Sequence, residues 1–283
     1  MQTVTLNNGV VMPQLGFGVY QIPAKETAEA VYQAIQTGYR LIDTASAYGN
    51  EKETGEGIQR AIEEDLVERP DLFVTSKLFI KQTPENIAKE TIENSLAVMG
   101  LDYLDLYLIH QPYGDIYGAW RALVAAQNGG QLRAIGVSNF KAAKIVEFSG
   151  FNEVKPQVNQ IEVNPWYQRQ SDLDWHNKVG VQVEALAPFA EGRHGLFTNP
   201  VLTEIGAKYG KTAGQVVLRW LMQRGVVALA KSVRPERMAE NIAIFDFELN
   251  AEDLAKIEAL DMAESAFFDH DDPETVNWLI GRH

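Results

Sequence analysis

Leu72-Phe73-Val74-Thr75-Ser76-Lys77 and Leu104-Asp105-Leu106-Tyr107-Leu108-Ile109-His110, with the helix-like stretch Pro84–Met99 between them, decide the fold. Short runs rich in Val, Ile and Leu, each followed by a helical period, read as parallel strands buried on both faces. The same alternation extends outward in both directions. Further strands read at Leu15–Phe17, Leu41–Asp43, Leu132–Val137, Gln157–Gln160, Val181–Leu186 and Val226–Leu229, and further helices at Lys25–Thr37, Ala142–Ser149 and Ala213–Gln223. Eight βα units in 283 residues predict an α/β protein built as a closed (β/α)8 TIM barrel, for which ~250 residues is typical. An open doubly wound sheet is the alternative.

The ends carry additions. Val4 and Leu6 lead through Asn8-Gly9, a two-residue turn signal, to Val10-Val11-Met12, which predicts an N-terminal hairpin. The tail from Ala251 lies beyond the eighth strand and is expected to pack across the barrel, over its mouth. No linker, low-complexity tract or composition shift divides the chain, so residues 1–283 are expected to form a single barrel domain. With 38 acidic and 25 basic side chains the net charge is −13, which disfavours nucleic acid and anionic membranes as partners. The absence of Cys excludes disulfides, thiolate metal sites and a Cys nucleophile. No apolar run spans a membrane and no signal peptide is evident, so a cytoplasmic monomer is expected.

Three features are decoys. Gly210-Lys211-Thr212 resembles the end of a P-loop, but Ile205 stands where that motif needs Gly, so it reads as a helix C-cap followed by a helix start. Gly16-Phe17-Gly18 lacks the third glycine of a dinucleotide fingerprint. His110, His176, His194, His270 and His283 show no metal-ligand spacing, so no metal site is expected.

In a barrel, the C-terminal ends of the strands face the active-site mouth. Asp43, Lys77 and His110 close three adjacent strands, and Tyr48 follows Asp43 by five residues. Each alone has a structural explanation as a helix cap, a snorkelling cation, a satisfied histidine or half-buried packing. Together on one face they form a chemical set. A buried Lys beside a Tyr is expected to lower the phenol's pKa from ~10, an Asp keeps that Lys charged, and a His can bond a substrate oxygen. Such a set can protonate a carbonyl as hydride arrives at its carbon. Independently, Lys231, Arg234 and Arg237 place three cations just after the eighth strand, where barrels commonly bind phosphate.

At these residues the sequence resembles the aldo-keto reductase family. The likeness rests on Gly38-Tyr39-Arg40-Leu41-Ile42-Asp43-Thr44-Ala45 with Tyr48-Gly49-Asn50-Glu51 and Gly55, on Arg133-Ala134-Ile135-Gly136-Val137-Ser138-Asn139-Phe140, and on Lys231-Ser232 with Arg237, Glu240 and Asn241. The ending Phe267-Phe268-Asp269-His270 with Asp272-Pro273 is similar to the branch containing bacterial 2,5-diketo-D-gluconate reductases. The resemblance implies NADPH-dependent reduction of small aldehydes and ketones, keto-sugar acids among them, with Tyr48 as proton donor, Asp43 and Lys77 tuning it, and His110 orienting the carbonyl. It also implies that Ser138, Asn139 and Gln160 hold the nicotinamide carboxamide. Lys231, Ser232, Arg234 and Arg237 would grip the 2′-phosphate, which favours NADPH over NADH, with Glu240 and Asn241 on the adenine. Val19, Tyr20, Phe79, Tyr113 and Trp166, with His110 and parts of the tail, are the expected substrate walls. Two positions depart from the family pattern. Leu186 stands where an aromatic residue usually stacks on the nicotinamide, and Thr54 stands where an aliphatic residue is usual.

Two other functions are open to a barrel of this kind. One is a cofactor-binding regulatory subunit like the potassium-channel β-subunits, disfavoured by the compact loops. The other is a glycosidase using paired carboxylates such as Glu162 and Glu184, which leaves Lys77, His110 and the basic cluster unexplained.

Overall fold

The computed structural model describes residues 2–282. Its regular elements, in chain order, are β1 (Thr3–Thr5), β2 (Val11–Pro13), β3 (Leu15–Gly18), α1 (Ala24–Thr37), β4 (Leu41–Asp43), α2 (Glu51–Glu63), β5 (Phe73–Leu78), α3 (Glu85–Met99), β6 (Leu104–Ile109), α4 (Ile116–Asn128), β7 (Leu132–Ser138), α5 (Ala142–Phe151), β8 (Val158–Glu162), α6 (Gln170–Val179), β9 (Gln182–Leu186), α7 (Pro200–Tyr209), α8 (Ala213–Gln223), β10 (Val227–Ala230), α9 (Pro235–Ile242), α10 (Ala251–Glu258) and α11 (Pro273–Gly281). Strands β3 to β10 pair in parallel with their sequence neighbours, and β10 returns to β3, which closes the (β/α)8 barrel.

Period-two alternation sorts each strand between two cores. Val74, Tyr107, Ile109, Ile135 and Val137 face the helices. Leu41, Phe73, Leu106, Leu108, Ala134, Val158, Val227 and Leu229 fill the barrel interior. Gly136 of β7 lies on that inner face. A Cβ there would stand 2.4 Å from the Val158 carbonyl oxygen and 2.8 Å from Leu108 Cδ2. The first contact is backbone, so the two strands would have to move apart. Gly136→Ala is expected to cost ~1–3 kcal/mol, read as a lower denaturant midpoint. An unchanged midpoint would show that this approach does not set the strand spacing.

The hairpin closes the barrel floor. Leu6 and Met12 join the interior cluster, Val4 and Val10 pack against it, and Asn7 Nδ2 donates to the carbonyls of Pro156 and Gly180, each at 2.9 Å. Its turn differs from the two-residue Asn8-Gly9 reading. Leu6 N–H donates to Val10 O and Gly9 N–H to Leu6 O, both at 2.9 Å, so the loop is Asn7-Asn8-Gly9. An Asn-Gly turn of two residues needs positive φ at both, but only Gly9 has it, at 86°. The three-residue loop places Val4, Leu6, Val10 and Met12 on one face, whereas a two-residue loop would split that set.

Gly210-Lys211-Thr212 joins α7 to α8. Gly210 is a left-handed C-cap (φ 64°), and Thr212 forms a capping box with Gln215. Among the described residues no helix is long and apolar enough to cross a membrane.

The tail crosses the mouth. Met262 N–H donates to Trp166 O at 2.8 Å, the Tyr113 hydroxyl donates to His270 O, and Lys141 pairs with Asp269 and Asp271. Phe268 and Leu279 pack with Phe79, Ile80 and Tyr113. Glu162 anchors it by accepting from Ser265 Oγ (2.5 Å) and Ala266 N (2.9 Å), and is itself held by Asn164 Nδ2 (2.9 Å). Glu162→Ala removes that anchor. Limited proteolysis should then cut between residues 262 and 272 several times faster while the barrel stays intact. An unchanged cleavage rate would leave the hold to Phe268 and Leu279.

Candidate active site

The alternation that fills the floor with apolar side chains delivers polar ones to the mouth. Asp43 follows Leu41 inward, Lys77 follows Thr75 and Phe73, His110 follows Leu108, Ser138 follows Gly136, Gln160 follows Val158, and Lys231 follows Leu229. Tyr48 enters differently. A short 3-10 turn over Ser46–Tyr48, ended by left-handed Gly49 (φ 68°), folds its ring back over the strand ends.

Lys77 Nζ, fully buried, donates to Asp43 Oδ1 at 2.6 Å, to the Thr44 carbonyl at 2.9 Å and to Tyr48 Oη at 3.3 Å. The ammonium has three N–H donors, and these contacts use all of them. The Tyr48 ring lies 5.6 Å from that of His110 and 4.9 Å from that of Tyr20. The four residues expected to act together do come together.

One expectation is reversed. Burial pushes the Tyr48 phenol up to about 12, outweighing the opposing pull of Lys77, so the side chain is a neutral acid rather than a phenolate. Burial alone would depress Lys77, but Asp43 and Tyr48 prevail and hold its ammonium above the usual lysine value. Burial, reinforced by Lys77, pulls His110 well below the ordinary histidine range, which makes it a neutral ring. His110 Nδ1 is sealed without a partner, so Nε2 is the nitrogen left to face the mouth.

Ser138, Asn139 and Gln160 also converge. Ser138 Oγ and the Asn139 N–H donate to the Gln160 carbonyl at 2.8 and 2.9 Å. Asn139 takes a left-handed backbone (φ 64°), which asparagine tolerates better than most residues. Its Nδ2 donates to His110 O at 3.0 Å, tying this group to the His110 strand.

Across the mouth, a cavity of about 300 Å³ is lined by Lys231, Ser232, Arg234, Arg237, Glu240 and Asn241, together with Phe189 and Phe197. No salt-bridge partner for Lys231, Arg234 or Arg237 is found among the described residues. Unpaired cations converging on one concavity, with a Ser hydroxyl and two aromatic rings, suit a phosphorylated nucleoside. The two Phe rings, 5.5 Å apart, were not foreseen. They flank a loop in which Ala190, Glu191 and His194 have positive φ, and irregular backbone leaves no periodicity to read.

Among the expected substrate walls, Tyr20 is exposed beside Tyr48, and the Phe79 ring lies 5.6 Å from His110. Tyr113 joins the tail, and Trp166 is buried beneath it. Val19 is a correction: it is sealed in the outer core, its amide bonded to Asp43 O, and it lines no open surface. Leu186 is half-buried at the end of β9. Thr54 is buried, its hydroxyl bonded back to Asn50 O at 2.8 Å, which satisfies the polar atom that an aliphatic residue would lack. The glycosidase pair fails on geometry, because Glu162 is consumed by the tail and Glu184 is sealed inside the barrel. His176 is structural, bonded to Asp172 O (2.6 Å) and Asn159 Nδ2 (2.7 Å).

Comparison with known proteins gives concordant matches. The sequence profile of the Aldo/keto reductase family matches residues 13–262. A glyoxal reductase of Bacillus subtilis is 44% identical, the alignment covering 93% of this chain and 94% of that protein. A morphine 6-dehydrogenase of Pseudomonas putida is 42% identical over 91% of this chain and 90% of its own. The crystal structure of a Bombyx mori aldo-keto reductase in complex with NADP superposes with a TM-score of 0.91 at 35% identity, covering 95% of this chain and 96% of that one.

Proposed function

Because this chain belongs to the aldo/keto reductase family, we propose that it is an NADPH-dependent oxidoreductase that reduces small aldehydes and ketones to alcohols. The observation that carries the reading is the contact chain Asp43–Lys77–Tyr48 beside a neutral His110. Bound NADPH supplies the hydride. His110 Nε2 and the Tyr48 hydroxyl hold the substrate oxygen from two sides and polarise its carbonyl. As negative charge develops on that oxygen, Tyr48 gives up its proton, and the phenolate left behind is stabilised by Lys77, itself held by Asp43.

Ser138, Asn139 and Gln160 are assigned to the nicotinamide carboxamide, and Leu186 to an apolar contact with its ring. Lys231, Ser232, Arg234 and Arg237 are assigned to the 2′-phosphate, with Glu240 and Asn241 on the adenine. The aromatic Tyr20, Phe79 and Tyr113 suit a carbonyl carried on a small apolar or sugar-like body. A keto-sugar acid such as 2,5-diketo-D-gluconate is the narrower candidate, supported by the tail sequence Phe267-Phe268-Asp269-His270. NADPH oxidation followed against a panel of glyoxal, simple aldehydes and keto-sugar acids tests the reading. Turnover is expected, whereas cofactor binding without turnover of any of them would favour a regulatory subunit.

A further inference from the structure

Glu184 sits at the centre of β9, paired in register with Gln160 of β8, and is completely buried inside the barrel. Gln160 Nε2 donates to Glu184 Oε2 at 2.7 Å and to Asp43 Oδ2 at 3.0 Å. Both hydrogens of the amide nitrogen are thereby used. Gln160 is 2% exposed, and Oε1, which accepts from no described residue, is the polar atom of its side chain left for a ligand. The amide orientation is chemically determined. Turning it over would aim a carbonyl oxygen at the Asp43 carboxylate, which carries the negative charge of the Lys77 pair.

Two carboxyl groups share this one amide nitrogen, and a single cation lies beside them. Lys77 has already spent its donors on Asp43, Thr44 and Tyr48. Glu184 Oε1 is sealed without a partner, a costly state for an ionised carboxylate. Burial, and then the Asp43 charge, raise its acid accordingly, from 4.5 to about 8. The groups facing it are Asp43 from β4, Lys77 from β5 and Gln160 from β8, while its β10 neighbour in register is Val227.

We propose that Glu184 is a positioning residue: by accepting from one Gln160 N–H while Asp43 accepts from the other, it fixes the amide so that only Oε1 is offered to the cofactor carboxamide. This rests on the assignment of Gln160 made above. A carboxamide NH₂ can donate to Oε1, whereas a Gln160 turned over would present its nitrogen and repel that NH₂. Ionisation of Glu184 would put a second anion beside Asp43 and pull the network apart.

The test compares the unmodified protein with Glu184→Gln, Glu184→Ala, Gln160→Ala and the Gln160→Ala/Glu184→Ala double variant. NADPH binding is titrated by protein fluorescence from about pH 7 to about pH 9.5, across the raised acid of Glu184. Affinity of the unmodified protein should fall roughly tenfold more over that range than affinity of Glu184→Gln, which stays neutral and otherwise carries the same titrating groups. Glu184→Ala should weaken NADPH several-fold at pH 7 in the unmodified background and have no further effect once Gln160 is Ala.

The cofactor-free protein supplies a second readout. The unfolded chain loses the Glu184 proton near 4.5 and the folded chain only near 8, so stability falls as pH rises through that window. The Tm advantage of Glu184→Gln should therefore grow from about pH 5 to about pH 8. Parallel pH profiles for Glu184→Gln and the unmodified protein, or equal losses from Glu184→Ala with and without Gln160, would overturn the proposal. Unchanged NADPH affinity in Gln160→Ala would instead overturn the Gln160 assignment on which it rests.

Discussion

Tyr48→Phe is expected to lower kcat for carbonyl reduction by ~10²–10⁴-fold while leaving NADPH affinity nearly intact. Phe keeps the ring that packs 4.9 Å from Tyr20 and 5.6 Å from His110, so the variant removes the hydroxyl and little else. The phenol's raised pKa, about 12, fixes the pH behaviour. The acid form is present below that value, so at saturating cofactor this group should add no alkaline limb to the reduction rate up to about pH 9. Lys77→Met should also be slow. It leaves Asp43 a buried carboxylate without its cation, so it should lose stability as well, which the Phe variant should not. Steady-state kinetics with fluorescence titration of NADPH decide the matter. Near-normal kcat in Tyr48→Phe would remove this side chain from proton transfer.

Arg237→Ala should weaken NADPH by ~10–100-fold and NADH by little, because only NADPH carries the 2′-phosphate. A charge-assisted contact is worth ~1.5–3 kcal/mol, which sets that range. Arg237 is exposed at the rim of the basic cavity, so salt should narrow the gap between the two cofactors. Lys231 and Arg234 line the same cavity, and removing two of the three together should not give the sum of the single effects. Equal affinities for NADH and NADPH in the unmodified protein would reduce the cluster to a solvated patch.

The barrel was legible because its strands are buried on both sides. Leu104–Ile109 is apolar enough on each face, apart from Asp105, to read as a strand without any partner in view. Asp43, Lys77 and His110 were legible for a related reason, since a polar residue ending an apolar run can only point at a strand end. The hairpin turn was misread because the local Asn-Gly signal competes with the apolar face formed by Val4, Leu6, Val10 and Met12, and tertiary packing prevails. The Tyr48 shift was misread because sequence shows that a lysine is near but not how completely the ring is buried, and here burial is the larger effect. Glu184 looked like half of a carboxylate pair. Only its register with Gln160 shows that it faces an amide.

Closure of the barrel has a kinetic consequence. The seam joins β3 to β10, strands roughly two hundred residues apart, through Ala228 opposite Leu15 and Ala230 opposite Phe17. Loop-closure entropy grows only logarithmically with length, so the finished seam is affordable, but such a distant pairing forms late and slowly. Taking β10 out of the closed order would leave a sheet with two bare edges, β3 and β9. Unpaired edges of that kind are templates for joining another chain. The hazard passes when the last strand pairs, so a longer delay between β9 and β10 during synthesis is expected to lower the yield of folded protein.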